Sequence, residues 1–196
     1  TIGIKGKTGS GKSTLINLIM TLIKPTKGSI KINDIDIIKP NQEKYLIKWR
    51  RSIAHVPQFI YLTDTTILEN IAFGEKIKDI DFKRAIFCAK AAKIYDFIEK
   101  KEEGIYTKIG ERGIKLSGGQ LQRIGIARAL YREAEILILD EATSALDQIT
   151  EKEVIQSIKE NNSKLTIISI SHRLSTLVGY DKIIRFENQK VFFEKN

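Results

Sequence analysis

Gly6-Lys7-Thr8-Gly9-Ser10-Gly11-Lys12-Ser13 decides the fold, because an apolar stretch (residues 1–5) leads into it and an apolar-periodic run (13–23) leaves it. Glycines at 6, 9 and 11 free the backbone to curl, so that its N–H groups gather round an anion. Strand, glycine loop and helix in that order make a cradle for the phosphates of a nucleoside triphosphate. Lys12 is placed to reach the β- and γ-phosphates and the Ser13 hydroxyl to ligate magnesium. The candidate nucleotide ligands of the loop are therefore Gly6, Lys7, Thr8, Gly9, Ser10, Gly11, Lys12, Ser13 and Thr14.

Outward from the loop, the pattern alternates between core strands and helices. Pro25-Thr26-Lys27-Gly28 is expected to end the first helix, and residues 29–38 read as a hairpin turning at Asn33-Asp34. A short helix over 45–51 and a strand over 53–56 follow, the strand stopping at Pro57. From about 64 to 131 the periodicity is helical (67–73, 82–98, 121–130), which predicts a helical subdomain inserted into the core. Ile136-Leu137-Ile138-Leu139 is a continuous apolar run bounded by charge, as befits a strand buried on both faces. A helix over 150–160 and strands over 165–170, 182–186 and 191–193 complete the chain. The expected fold is α/β, with a mostly parallel sheet, a small antiparallel β region and the inserted helices. Residues 1–63 and 132–196 form the core in this reading, and about 64–131 the helical subdomain.

Composition narrows the class. The single cysteine, Cys88, excludes an internal disulfide framework, and its neighbours Ala85, Ile86, Ala89 and Ala92 mark a buried helix position. No apolar run reaches the roughly 20 residues that span a bilayer. Because the chain opens at Thr1 directly on a strand, it reads as truncated from something longer. The formal charge of +9 is uneven: residues 1–51 carry eleven Lys/Arg against Asp34, Asp36 and Glu43. Such an excess invites nucleic acid or anionic lipid. Its scatter, without interleaved aromatics, favours a solvated face round a phosphate pocket, with lipid headgroups as a secondary contact and nucleic acid not expected.

Two further stretches carry chemistry. Asp140-Glu141 closes the buried strand, where two carboxylates need a cationic partner. Magnesium supplies it, with Asp140 ordering the metal shell and Glu141 polarising the attacking water. Leu116-Ser117-Gly118-Gly119-Gln120 is a second phosphate-facing segment, at the start of a helix, for which one folded copy has no evident use.

The glycine loop, LSGGQ, Asp140-Glu141, Ser144-Ala145-Leu146-Asp147 and His172 stand in the order and spacing of the ATP-binding-cassette (ABC) ATPases, and over essentially its whole length the chain resembles that family. The resemblance implies roles residue by residue. Gln58 matches the glutamine that contacts magnesium and the attacking water. Ser117, Gly118, Gly119 and Gln120 match the signature that closes the nucleotide site of a second copy. Asp147 lies in the loop that crosses the dimer interface, and His172 matches the histidine that hydrogen-bonds the γ-phosphate. Metal ligands are then Ser13, Gln58 and Asp140; the catalytic set is Glu141, His172 and Gln58. His55 has no counterpart and reads as structural.

Thr107-Lys108-Ile109-Gly110-Glu111-Arg112-Gly113 and the stretch 61–74 resemble the exporter branch. The branch implies ATP and Mg2+ as cofactors, and two partners: a second nucleotide-binding domain and a membrane-spanning domain on the same or a partner chain. It also implies a place at the cytoplasmic face of the membrane, with export or flipping of a lipid, lipid-linked saccharide or peptide as the work done. A soluble ABC ATPase acting on nucleic acid is the alternative. Lys5, Leu121 and Gly125 depart from common family residues.

Overall fold

The structure, a computed structural model, describes residues 1–171, 173–187 and 190–195. Its main sheet contains β1 (Ile2–Gly6), β4 (Ile53–Val56), β5 (Ile136–Asp140), β6 (Thr166–Ile170), β7 (Lys182–Glu187) and β8 (Lys190–Lys195). They lie in the order β4-β5-β6-β1-β7-β8. All neighbours are parallel except β7 and β8, which form an antiparallel pair. β2 (Lys31–Ile32) and β3 (Ile35–Asp36) make a separate two-stranded sheet. Its turn is the expected Asn33-Asp34, both at positive φ as a tight hairpin requires.

Alternation along the strands explains how both faces of the sheet are buried. Leu137, Leu139 and Ile167 point into the larger core, with Ile124 and Ile126 from the helical segment. Ile138, Ile168 and Ile170 point the other way, onto Ile16 of α1 (Lys12–Ile19) and Met20 just beyond it. β8 lies at the end of the sheet and exposes Val191, Phe192 and Phe193. The charged departure at Lys5 is accounted for here: its ammonium pairs with Glu194 of β8 at 2.7 Å.

Two helices end earlier than their periodicity predicts. α1 stops at Ile19, and Thr21 takes a φ of 56°. α2 (Glu43–Arg51) covers that end: Trp49 Nε1 donates to Ile19 O at 2.6 Å and Arg50 Nη2 to Thr21 O at 2.6 Å. The loose carbonyls of the last turn are thus met by side chains thirty residues away. The periodic stretch 82–98 is likewise two helices, α4 (Phe82–Ala91) and α5 (Tyr95–Glu99). Lys93 breaks it at a φ of 54°, held by Ile94 N donating to Ala89 O and by Arg123 Nη1 donating to Lys93 O at 2.7 Å. Cys88 is buried in α4, as its neighbours suggest.

α3 (Ile67–Ile71) starts at a capping box formed by Thr66 and Glu69 and carries the fully buried Asn70. The Asn70 amide donates to Thr63 O and Thr66 O, both at 3.0 Å. Its oxygen accepts Thr63 N at 3.0 Å and Arg128 Nη2 at 2.8 Å. One side chain therefore fastens the strap 63–66 to α6 (Gly118–Tyr131). Asn70→Ala leaves several buried groups unpaired and is expected to lower stability by about 3 kcal/mol, read from the chemical denaturation midpoint.

Candidate nucleotide site

The glycine loop lies between the end of β1 and α1. Gly6 is demanded by close approach: a Cβ there would sit 2.8 Å from Phe186 O and Ser10 Oγ. Gly11, at a φ of 103°, is the residue before α1 and offers no side-chain cap. The first N–H groups of α1 therefore face outward unmet by a side chain, where a phosphate is the natural partner. By contrast α3, α4, α6 and α7 (Gln148–Asn161) are capped by Thr66, Asp81, Ser117 and Asp147. Lys12 is 6% exposed, and its ammonium donates to Gly6 O at 2.8 Å and Lys7 O at 3.0 Å. Its charge is thereby fixed inside the loop.

A cleft of about 350 Å3 opens over this loop, lined by Thr8, Gly9, Gly11, Lys12, Ser13, Thr14, Gln58 and Glu141. The fold thus brings residues 58 and 141 to the loop from 45 and 128 residues beyond Ser13. Gln58 Nε2 donates to Glu141 Oε2 at 2.9 Å. Glu141 takes a φ of 51°, a conformation disfavoured for a non-glycine residue. This turns the chain sharply after Asp140 and is typical of strain kept at working sites.

Burial pushes the Asp140 carboxyl above its ordinary range, and Glu141 beside it pushes the same way, while His55 and Lys12 pull back. Burial lowers the His55 imidazole and the Asp140 charge opposes that shift. Ser13, Gln58 and Asp140 offer only oxygen donors, the set that suits Mg2+. A desolvated carboxyl pushed toward its protonated form is also what a dication would reverse. The residues fit the metal, which when bound would neutralise phosphate charge.

The signature lies elsewhere. None of residues 117–120 lines the cleft. Gly118 and Gly119 belong to the first turn of α6 rather than to a bare loop, and the reason is packing: a Cβ on Gly119 would stand 3.1 Å from Leu146 and 3.3 Å from Ala145 O. Ser117 accepts Gln120 N, and Gln120 Oε1 accepts Ser117 N at 2.9 Å, closing a capping box. Asp147 caps α7, accepting Ile149 N and Thr150 N at 3.0 Å. His172 lies outside the described residues.

Four hydrogen bonds round residues 144–146 escaped sequence reading. Gln122 Nε2 donates to Ser144 Oγ at 3.1 Å and its oxygen accepts Ala145 N at 2.9 Å. Arg173 donates to Leu146 O at 3.0 Å and Ser144 O at 3.1 Å. The loop is bracketed between the signature helix and the segment after β6. The departure at Gly125 also has a cause: Ile60 Cδ1 occupies the place of its missing Cβ.

A phosphate cradle on a parallel sheet, with an acid pair at the neighbouring strand end, defines a nucleoside-triphosphate-binding domain. The chain belongs to the ABC transporter family, whose pattern it matches over residues 1–144. It is 41% identical over its whole length to the heterocyst differentiation ATP-binding protein HepA of a Nostoc species, covering 31% of that protein. It is also 41% identical over 97% of its length to the ATP-dependent lipid A-core flippase of Chromohalobacter salexigens, covering 32% of it. Among solved structures it resembles a bacterial Atm1-family ABC exporter with ATP bound, with TM-score 0.85 and 39% identity over 95% of this chain and 32% of that one. The chain thus spans about a third of the length of the curated relatives it matches. Among the described residues no helix is long and apolar enough to cross a membrane.

Proposed function

We propose that this chain is the ATP-binding and ATP-hydrolysing domain of a membrane exporter at the cytoplasmic face, moving a lipid, lipid-linked saccharide or peptide. The observation that carries the reading is the Gln58–Glu141 hydrogen bond across the cleft from the glycine loop. It supports reading Glu141 as the base and Gln58 as the water-orienting amide beside the γ-phosphate. Lys12 and the free N–H groups of α1 bind the phosphates. Ser13, Gln58 and Asp140 would hold Mg2+, and Glu141 takes the proton of the attacking water. His172 completes the γ-phosphate contacts.

Ser117 does not line this cleft, which supports reading the signature as serving the site of a second copy. ATP then joins two domains head to tail, and hydrolysis, by adding charge and separating the products, releases them. The exposed Phe59 and Tyr61, beside a groove between β4 and α6, give the membrane-spanning domain an apolar surface on which to bear. The flippase relative supports the lipid-type cargo, and the exporter structure supports the direction of transport.

A mixing experiment tests the shared site. Lys12→Ala breaks the loop and Ser117→Arg breaks the signature, and each variant alone is expected to be inactive. Mixed in equal amounts, half of randomly formed dimers hold one intact site, so phosphate release should recover to about a quarter of wild type. No recovery in a mixture shown to contain heterodimers contradicts the shared site.

A further inference from the structure

A buried polar cluster that the nucleotide cleft does not use lies between α7 and the chain that follows β6. Glu151, one turn into α7, is 3% exposed. Its Oε1 accepts the Thr143 hydroxyl, and its Oε2 accepts the Thr176 hydroxyl at 2.8 Å; both threonines are buried. Alongside, the hydroxyls of Ser169 and Tyr180 stand 2.7 Å apart, and both of these residues are buried. Burial drives the Tyr180 phenol up to about 12, with the Glu151 charge adding to the shift.

The two arms of Glu151 lead to two parts of the site. Thr143 stands two residues beyond Glu141, in the turn that Ser144 N closes on Glu141 O at 3.1 Å. That turn keeps Glu141 in its left-handed conformation, which persists only where the surroundings over-determine it. Ala142 is fully buried, and the hydroxyl of Thr143 is anchored by Glu151. Thr176 lies in the 3-10 turn Leu174–Leu177, whose first bond runs from Thr176 N to Arg173 O at 3.2 Å. Arg173 in turn holds the carbonyls of Ser144 and Leu146. Cutting either arm loosens the same frame.

We propose that Glu151 is a positioning residue for ATP hydrolysis, tying the turn that aims Glu141 to the segment after β6 through Thr143 and Thr176. The inference rests on Glu141 being the base. It asks nothing of Glu151 at the nucleotide itself, so its signature is a loss of rate without a loss of ATP affinity.

The test is ATP turnover by the full-length chain. Glu151→Ala is expected to lower kcat about tenfold or more, with KM for ATP within about twofold, as for a misaimed but undamaged site. Glu151→Gln keeps the shape, and one threonine hydroxyl can turn to accept, so it should restore at least about half of the lost rate. Thr143→Val and Thr176→Val each cut one arm. Singly and together they should reproduce the alanine effect without adding, because the tie fails with either arm. Should Glu151→Ala not fold, the valine pair decides. Glu141→Gln, assayed in parallel, separates the two claims. If it retains turnover, the base assignment fails and takes this proposal with it. If it abolishes turnover while the Glu151 and valine variants lose stability but keep kcat within about twofold, the positioning role is overturned.

Discussion

Glu141→Gln should abolish ATP turnover while trapping the protein as an ATP-bound dimer. The amide is nearly isosteric with the carboxylate and its oxygen can still accept Gln58 Nε2, so the 2.9 Å contact across the cleft survives. What is lost is the capacity to take a proton from water, a contribution of about 10²–10⁴-fold for a placed base. The binding groups (Lys12, Ser13 and the first turn of α1) are untouched, so ATP continues to bind. The nucleotide that joins the two copies then stays unspent, and dimer accumulates. Phosphate release and sedimentation in ATP with magnesium read the two halves of the result. A variant that stays monomeric there, or that turns over within about tenfold of wild type, contradicts the assignment.

Lys12→Ala is expected to remove nucleotide binding while leaving the fold intact. Lys12 is 6% exposed and donates to two carbonyls of its own loop, Gly6 O and Lys7 O. Both belong to a loop open to the cleft, where water replaces the lost donor at small cost. Triphosphate has no such substitute. Charge-assisted hydrogen bonds contribute about 1.5–3 kcal/mol each, so ATP affinity should fall by at least about tenfold and on the order of 100-fold where two phosphates share the ammonium. Titration calorimetry with ATP and magnesium measures the affinity, and thermal unfolding without nucleotide checks the fold. Lys12→Arg should fare no better, since a planar guanidinium is too wide for a space shaped round a point charge.

Much of this architecture is legible in the sequence because its causes are local. The glycine loop, the Asn33-Asp34 turn and the apolar run Ile136–Asp140 each state their own conformation, and the strands fall within a residue or two of expectation. What sequence could not show are the places where one element finishes another. α1 ends where Trp49 and Arg50 reach the carbonyls of Ile19 and Thr21, well before Pro25. The break at Lys93 carries neither glycine nor proline, and depends on Arg123 from another helix. The site divides in the same way. Its motif residues could be read directly, and the fold brings Gln58 and Glu141 to the loop. Gln122, Arg173 and Glu151 belong to no local pattern, because their partners are backbone and hydroxyl groups 8 to 29 residues away. A buried glutamate on an amphipathic helix looks from sequence like any solvated one.

The strand at the end of the sheet has a consequence for handling. β8 borders the sheet and leaves Val191 47% and Phe193 79% exposed, beside β-branched and aromatic neighbours. Such a border is a template for another strand, and it works whether or not nucleotide is present. Concentrated preparations of this chain are therefore expected to self-associate in a way that carries no information about hydrolysis. Mass alone will not diagnose the joined state; its dependence on ATP, and its reversal when ATP is consumed, will.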